Sequence, residues 1–226
     1  MWVGRDRARP TGMSSASNLP TDLEEVVGTA ATRRLNRKSK LRREEIIHAA
    51  IEVINDKGYA HATMTDIAAS LGLRDAALYY YFPSKQDLAY ACHVHSLEIF
   101  DRLLHAIALE PATGHDKLTR FIRGMLEDSE RHGPQLYFGE YTYLTDEQSF
   151  AVKQWADRLT AMLERFLDDG ISDGSVVDCD AHVVVQLILG MLIWLAKWVP
   201  AIPEMTVDRL MSAIDLVSLT GLRRPA

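Results

Sequence analysis

The chain has 226 residues, 47% hydrophobic and 25% charged, an ordinary globular composition long enough to bury a core in one large domain or two modest ones. Two cysteines, Cys92 and Cys179, exclude a disulfide framework or a cysteine-based zinc site and read as plain thiols of a reducing cytoplasm. The net charge of −6 is laid down unevenly: residues 33–85 carry ten Lys/Arg against six Asp/Glu, residues 86–226 twelve against twenty-one. That division fits a basic DNA-facing module on an acidic body that phosphate would repel.

Residues 1–38 hold scattered arginines, prolines and a Ser14-Ser15-Ala16-Ser17-Asn18 run, and are expected to form a largely disordered basic arm; no apolar core follows the arginines as in a signal peptide. Ordered structure is expected from about residue 39. Ile46, Ile47, Ala50, Val53 and Ile54 recur at helical spacing, and Gly58 ends that helix in a left-handed turn. Met64, Ile67, Ala68 and Leu71 form a second apolar stripe, with Thr63 as cap and Asp66 completing a short capping box. Gly72 breaks it, a short segment runs from about Asp75 to Phe82, and Ser84 caps another helix with Asp87 in its first turn. Beyond residue 85 only helical periods appear, with Gly170 and Gly174 read as a turn and helices placed at about 181–199 and 204–221. Val183–Ala196 is shorter than the roughly 20 apolar residues a membrane span needs and is followed by Lys197, so no membrane contact is expected.

The stretch Thr63–Lys85 meets the demands of a helix-turn-helix. Ala68 is small where the second helix crosses, Gly72 accepts positive φ, and Ile67, Leu71, Leu73 and Leu78 form the inner face. Tyr79 and Tyr80 then sit on a short helix whose inner positions are filled by Leu78 and Phe82. Their hydroxyls can donate to phosphate and their rings can meet sugars or a thymine methyl. Lys85 and Thr63 or Thr65 stand at helix starts that favour phosphate, Arg74 can reach guanine or phosphate, and Asp75 is expected to cap the recognition helix. Ala76 offers only a methyl group, and Tyr81 is a weaker candidate. The cluster from Arg33 to Arg43 could lie along phosphates or enter a minor groove.

Asp66-Ile67-Ala68, Gly72, Leu78-Tyr79-Tyr80-Tyr81-Phe82 and Lys85 resemble the pattern of TetR-family transcriptional regulators over about residues 42–90; beyond them the likeness is of length and helical character. The resemblance implies an all-α chain with an N-terminal three-helix helix-turn-helix domain (39–86) and a C-terminal helical ligand-binding and dimerisation domain (87–226). It implies DNA-backbone contacts by the two tyrosines and Lys85, a palindromic double-stranded operator, and a homodimer joined through the last two long helices. It also implies a regulator, most often a repressor, with an activator of the same family as the alternative. In the body, Phe121, Met125, Tyr137, Phe138, Tyr141, Trp155, Leu159, Met162 and Trp194 are candidate lining residues for a hydrophobic effector. Glu140, Arg123 and Gln186 are its candidate polar groups, and Tyr137–Glu147 with Trp194 and Trp198 faintly resembles regulators that respond to acyl-thioesters. An enzyme fits poorly: His93, His95, Glu98 and Asp101 lack the two-histidine zinc spacing, and no nucleophile elbow or phosphate loop appears, so no catalytic residue, metal or cofactor is expected.

Overall fold

The computed structural model describes residues 22–136 and 141–222, with side chains from residue 37 onward except those of Ala196 and Pro200. The chain divides into two compact units, Met1–Leu41 and Arg42–Ala226. The described residues form helices joined by loops, with no strand among them: α1 (Asp22–Lys57), α2 (Met64–Ser70), α3 (Asp75–Tyr81), α4 (Lys85–Ala108), α5 (Gly114–His132), α6 (Asp146–Asp173), α7 (Ala181–Trp198) and α8 (Val207–Ile214). A 3-10 turn (Val199–Ala201) follows α7, and α8 runs on through a π-turn (Asp215–Leu219) into a last helical turn (Thr220–Leu222).

Residues 22–38 are helical rather than part of an unstructured arm; good helix formers such as Leu23, Glu24, Glu25, Ala30, Ala31 and Arg33 outweigh the missing apolar stripe there. The expectation for residues 1–21 falls outside the described residues. From residue 46 on, α1 buries Ile46, Ile47, Ala50 and Ile54 and ends at Gly58 with φ of 77°.

Helix starts are fixed by side-chain caps. The Thr63 hydroxyl accepts from the Asp66 N–H while the Asp66 carboxylate accepts from the Thr63 N–H, a reciprocal box that opens α2. Ser84 caps α4, Thr113 α5, Asp180 α7 and Thr206 α8, and Thr145 with Gln148 forms a second box at α6. Each cap satisfies an N–H that would otherwise lack a partner, worth about 1 kcal/mol.

Between α2 and α3 the turn needs Gly72, which sits at φ of 64° with open space around it. Only its backbone freedom matters there, and the Leu73 N–H returns to the Ala68 carbonyl at 2.8 Å to close the corner. Gly170 is not a turn residue but lies buried within α6; the turn falls at Gly174, φ 80°. Gly170 serves close packing, because α5 starts against it. A Cβ on Gly114 would collide with the Phe166 carbonyl oxygen and the Gly170 backbone nitrogen. Gly114 N–H also donates to the Asp173 carboxylate at 2.9 Å, and Val176 N–H to the Gly170 carbonyl at 2.9 Å. The core between α4, α5 and α6 is built on Phe100 and Phe121, ring centroids 5.0 Å apart, with Leu104, Leu118, Ile122, Leu159 and Leu163.

Backbone rather than a movable side chain blocks the space above Gly114, so Gly114→Ala should cost about 3 kcal/mol or more. Chemical denaturation checks this; a loss under about 1 kcal/mol would mean that α5 and α6 are not held this close.

Candidate functional site

The short α3 is anchored by Leu78 and followed by Phe82, both buried, so its remaining positions turn outward. Tyr80 is 80% exposed and Tyr79 50%, while Tyr81 is half-buried with its ring edge-on to Tyr80 at 5.0 Å. Arg74, Ala76, Thr63 and Thr65 are also exposed. No hydrogen bond joins the Tyr79 or Tyr80 hydroxyl or the Arg74 guanidinium to another described residue, which leaves all three free to donate to an external acceptor. Arg43 is exposed too, its guanidinium 4.7 Å from the centre of the Phe82 ring.

Three expectations at this surface differ in detail. Asp75 does not cap α3: the N-cap is Arg74 without a side-chain bond, and the Asp75 carboxylate accepts from the Thr65 hydroxyl at 2.6 Å. The Thr63 hydroxyl proton is likewise committed, to Asp66 at 2.6 Å. That carboxylate is held down at about 2 by bonds from Lys57 and Thr63. The largest difference is Lys85. Its ammonium donates to the carbonyls of Tyr59 at 2.8 Å and Ala62 at 2.9 Å and lies 4.2 Å from the centre of the Tyr59 ring. Spacing along the sequence places Lys85 at a helix start; it cannot reveal two carbonyls turned toward it by the loop after Gly58.

This lysine belongs to a clasp between the first three helices and the rest of the unit. Tyr59 stacks on Tyr143 with centroids 3.7 Å apart and planes 11° from parallel. The Tyr143 hydroxyl meets His93 Nε2 at 2.8 Å, and its carbonyl accepts from Gln86 Nε2 at 2.6 Å. Gln148 Nε2 donates to the Asp87 carboxylate at 3.4 Å. Burial holds the His93 imidazole down at about 4, against a small opposing pull from a backbone hydrogen bond at Leu136. Burial also pushes Tyr141, packed 5.3 Å from His93, up to about 12. A second link runs through Asn55 of α1, whose side chain donates to the Gln135 carbonyl at 3.3 Å and whose carbonyl accepts from Lys197 of α7 at 2.5 Å. Sequence reading missed both links, although it named Lys85, Asp87, His93 and Tyr141 in other roles, since no motif marks residues that meet from distant positions, 80 or more apart at Asn55.

In the body, α5, α7 and the segment leading into α8 enclose an apolar cavity of about 320 Å³, lined by Met125, Leu126, Leu192, Leu195, Val199 and Leu210 among others. Glu204, at its edge, is the one non-glycine with positive φ among the described residues, 56°, a strain of roughly 1–2 kcal/mol.

Comparison with known proteins bears directly on this arrangement. Residues 46–92 match the family model described as bacterial regulatory proteins of the tetR family, and residues 111–221 match a tetracyclin repressor-like C-terminal domain. The chain belongs to the TetR family. Among curated relatives, the fatty acid metabolism regulator protein of Bacillus subtilis is 32% identical over 78 residues, covering 34% of this chain and 40% of that protein. The transcriptional repressor KstR2 of Mycolicibacterium smegmatis is 29% identical over 161 residues, covering 65% and 74%. The chain thus spans only about two fifths of the B. subtilis relative's length. Among solved structures, the TetR-family regulator PfmR from Thermus thermophilus superposes with a TM-score of 0.63 at 25% identity, over 79% of this chain and 99% of that one. The ketosteroid regulator KstR2 of Mycobacterium tuberculosis gives 0.71 at 21% identity, over 81% and 96%.

In this TetR-family regulator the expected effector residues scatter. Met125 lines the cavity. Phe121 and Leu159 are fully buried core, and Trp155 and Met162 are half-buried against that core. Tyr141 packs beside His93, Phe100 and Leu136 in a space too tight for a ligand. Trp194 is 65% exposed and takes no part in lining the cavity. Tyr137, Phe138 and Glu140 lie outside the described residues. Of the other polar candidates, Arg123 pairs with Asp208 at 2.8 Å, and Gln186 is exposed. Among the described residues no group of histidines, cysteines and carboxylates could hold a metal ion, and no helix is long and apolar enough to cross a membrane.

Tyr80→Phe should lower operator affinity about fivefold, the worth of one hydrogen bond, without moving the melting temperature. Lys85→Ala should instead cost about 2 kcal/mol of stability, because two carbonyls lose a charged donor. Thermal melts beside fluorescence anisotropy separate the two, and equal melting losses would refute the distinction.

His93 also sets a pH dependence. Its pKa is about 4 when folded and about 6.5 when unfolded, so the unfolded chain binds the extra proton. Its stabilising contribution is complete above about pH 6.5 and is lost as pH falls toward 4, a change of roughly 3 kcal/mol. His93→Gln should flatten that slope; an unchanged slope would assign it to other groups.

Proposed function

We propose that the protein is a homodimeric transcriptional repressor that grips a palindromic operator with α3 and releases it when a hydrophobic small molecule enters the body. The observation that carries this is the outward display of Arg74, Tyr79 and Tyr80, with unengaged donors, on a recognition helix clasped to the body through Lys85, Tyr59 and Tyr143. Phosphate contacts by those hydroxyls would set position, and Arg74 is the side chain best suited to read a base. On the same reading Tyr81, Thr63, Thr65, Ala76 and the backbone of Lys85 would supply secondary contacts, the two threonines as acceptors of water or through their methyl groups, with Arg43 on the flank.

The dimer reading is supported by an apolar face left open on two elements. Val183, Leu187 and Trp194 are 50%, 69% and 65% exposed, follow one stripe of α7, and share it with Gly190, which has nothing within 4 Å of a built Cβ. Leu216 and Val217, 79% and 78% exposed, present further apolar surface on the continuation of α8. Large apolar side chains clustered this way mark an interface. A second copy meeting the same helices in a four-helix arrangement covers them and sets two recognition helices for successive half-sites. Trp194 is thereby reassigned from the effector site to the interface.

Release follows from linkage: an effector that binds better to a geometry in which α3 no longer matches the half-site spacing must lower DNA affinity by the same factor. The names of similar proteins, a fatty acid metabolism regulator, a ketosteroid regulator and AibR, crystallised with isovaleryl coenzyme A and operator DNA, favour an effector with an apolar acyl-like or steroid-like body. An acyl-thioester is one such molecule.

The test is binding of the protein to its own upstream DNA at increasing salt, which should show a steep loss of affinity. Leu187→Glu should convert the protein to monomers by sedimentation and weaken operator binding by at least a hundredfold. A variant that stays dimeric, or a monomer that binds DNA equally well, would refute the interface.

A further inference from the structure

The apolar cavity carries two carboxylates at its edge, one from each wall: Glu130 near the end of α5 and Glu204 on the connection into α8. They are the only charged residues lining it among the described ones, and neither has an ion pair or hydrogen bond to another described residue. Of the nearby basic side chains, Arg209 is exposed on α8 and does not line the cavity, and the others are engaged. Arg131 holds Glu127 at 3.2 Å, His132 holds Asp128 at 2.8 Å, and Arg123 holds Asp208 at 2.8 Å. The remaining polar groups of the lining, Ser129 and Thr206, bear no charge, and the Thr206 hydroxyl accepts from the Arg209 N–H at 3.2 Å as the cap of α8.

We propose that this cavity binds an amphiphile with a cationic head, its hydrocarbon body among Met125, Leu192, Leu195 and Leu210 and its charge against Glu130 and Glu204. The proposal rests on the reading of the body as an effector sensor and replaces the acyl-thioester that the similar proteins suggest with a ligand of opposite charge. Glu130 and Glu204 are exposed, and a ligand seated in the cavity takes part of the water from them, a loss that positive charge on the ligand offsets. A carboxylate ligand, or the phosphates of a coenzyme A thioester, would meet repulsion from the carboxylates of the lining. A cation there gains two attractive partners, and no basic side chain lines the cavity to compete for them. The cavity of about 320 Å³ is at the small end of ligand sites, which fits a single short chain rather than a steroid nucleus with a carrier.

The position also suits regulation. Pro134 of the lining precedes Gln135, whose carbonyl holds the Asn55 side chain of α1, and the Leu195–Val199 stretch contains Lys197, which holds the Asn55 carbonyl. Two walls of the cavity therefore end on one residue of the DNA-binding domain.

Calorimetry on the full chain with octyltrimethylammonium, octanoate, octyl glucoside and octanoyl-coenzyme A, each below its micellar concentration, tests the proposal. The ammonium should bind at least tenfold tighter than octanoate, with a preference that falls as salt rises. The double variant Glu130→Gln, Glu204→Gln should erase that preference and leave octyl glucoside unchanged. Glu204→Gly removes the charge while relieving the positive-φ strain, so it should fold at least as well as the parent and lose several-fold in ammonium affinity. Octanoate or the thioester binding as tightly as the ammonium, or ammonium affinity untouched in the double variant, would overturn the proposal. Operator anisotropy in parallel keeps the two readings apart. Ammonium binding without any change in DNA affinity upholds the cavity assignment and sinks the sensor role. DNA release by the thioester without ammonium binding does the reverse.

Discussion

A lysine in the first turn of α4 holds the DNA-binding domain to the body. Its ammonium takes two carbonyls from the loop after Gly58 and faces the ring of Tyr59, which in turn lies flat on Tyr143. Carbonyls at such a corner have no helical partner, and a charged donor satisfies them more strongly than water held at a half-buried site would. The consequence is mechanical. The orientation of α2 and α3 is set by contacts to α4 and to the segment before α6, so a shift in those elements moves the tyrosines of α3. A DNA-binding domain joined to its body by a flexible linker would not transmit that shift.

His93 gives the clasp a defined chemical state. With its ring buried, neutral, and hydrogen-bonded to the Tyr143 hydroxyl, the ring that stacks on Tyr59 is fixed in rotation as well as in position. Protonation would ask the same nitrogen to donate where it now can accept, and burial makes that costly. The tight packing of Tyr141, Phe100 and Leu136 around His93 leaves no room for a ligand, which is why the cavity further along α5 is the better seat for an effector.

Much of the DNA-binding domain was legible in the sequence because its determinants are local. Thr63 and Asp66 lie three residues apart and form their box regardless of what packs behind them, and Gly72 is needed wherever the corner occurs. Ser84 and the buried Leu78 and Phe82 followed from the same short-range rules. What was not legible depends on distant partners. Lys85 has the place of a phosphate ligand, yet its partners are 23 and 26 residues away. Gly170 has the composition of a turn but is required by the approach of α5, and Trp194 has the chemistry of a pocket but lies on the outer stripe of α7. Apolar periodicity says that a helix has a buried face; it does not say whether that face meets core, cavity or a second chain.

Asn55 shows how the cavity and the DNA-binding domain can be coupled without a large rearrangement. Its side chain is held by the backbone after α5 and its carbonyl by α7, so both helices that wall the cavity bear on the C-terminal part of α1. A ligand that separates α5 from α7 loads these two hydrogen bonds together, and α1 follows to the extent that the Lys197 and Asn55 side chains do not take up the change. A shift of α1 carries with it Ile46, Ile47 and Ile54, which are buried in the core. Packed interiors resist continuous deformation, so the domain is pushed toward a second discrete seat. In a dimer the displacement is doubled across the two half-sites, and a shift too small to disturb either domain alone is enough to break their common register on DNA.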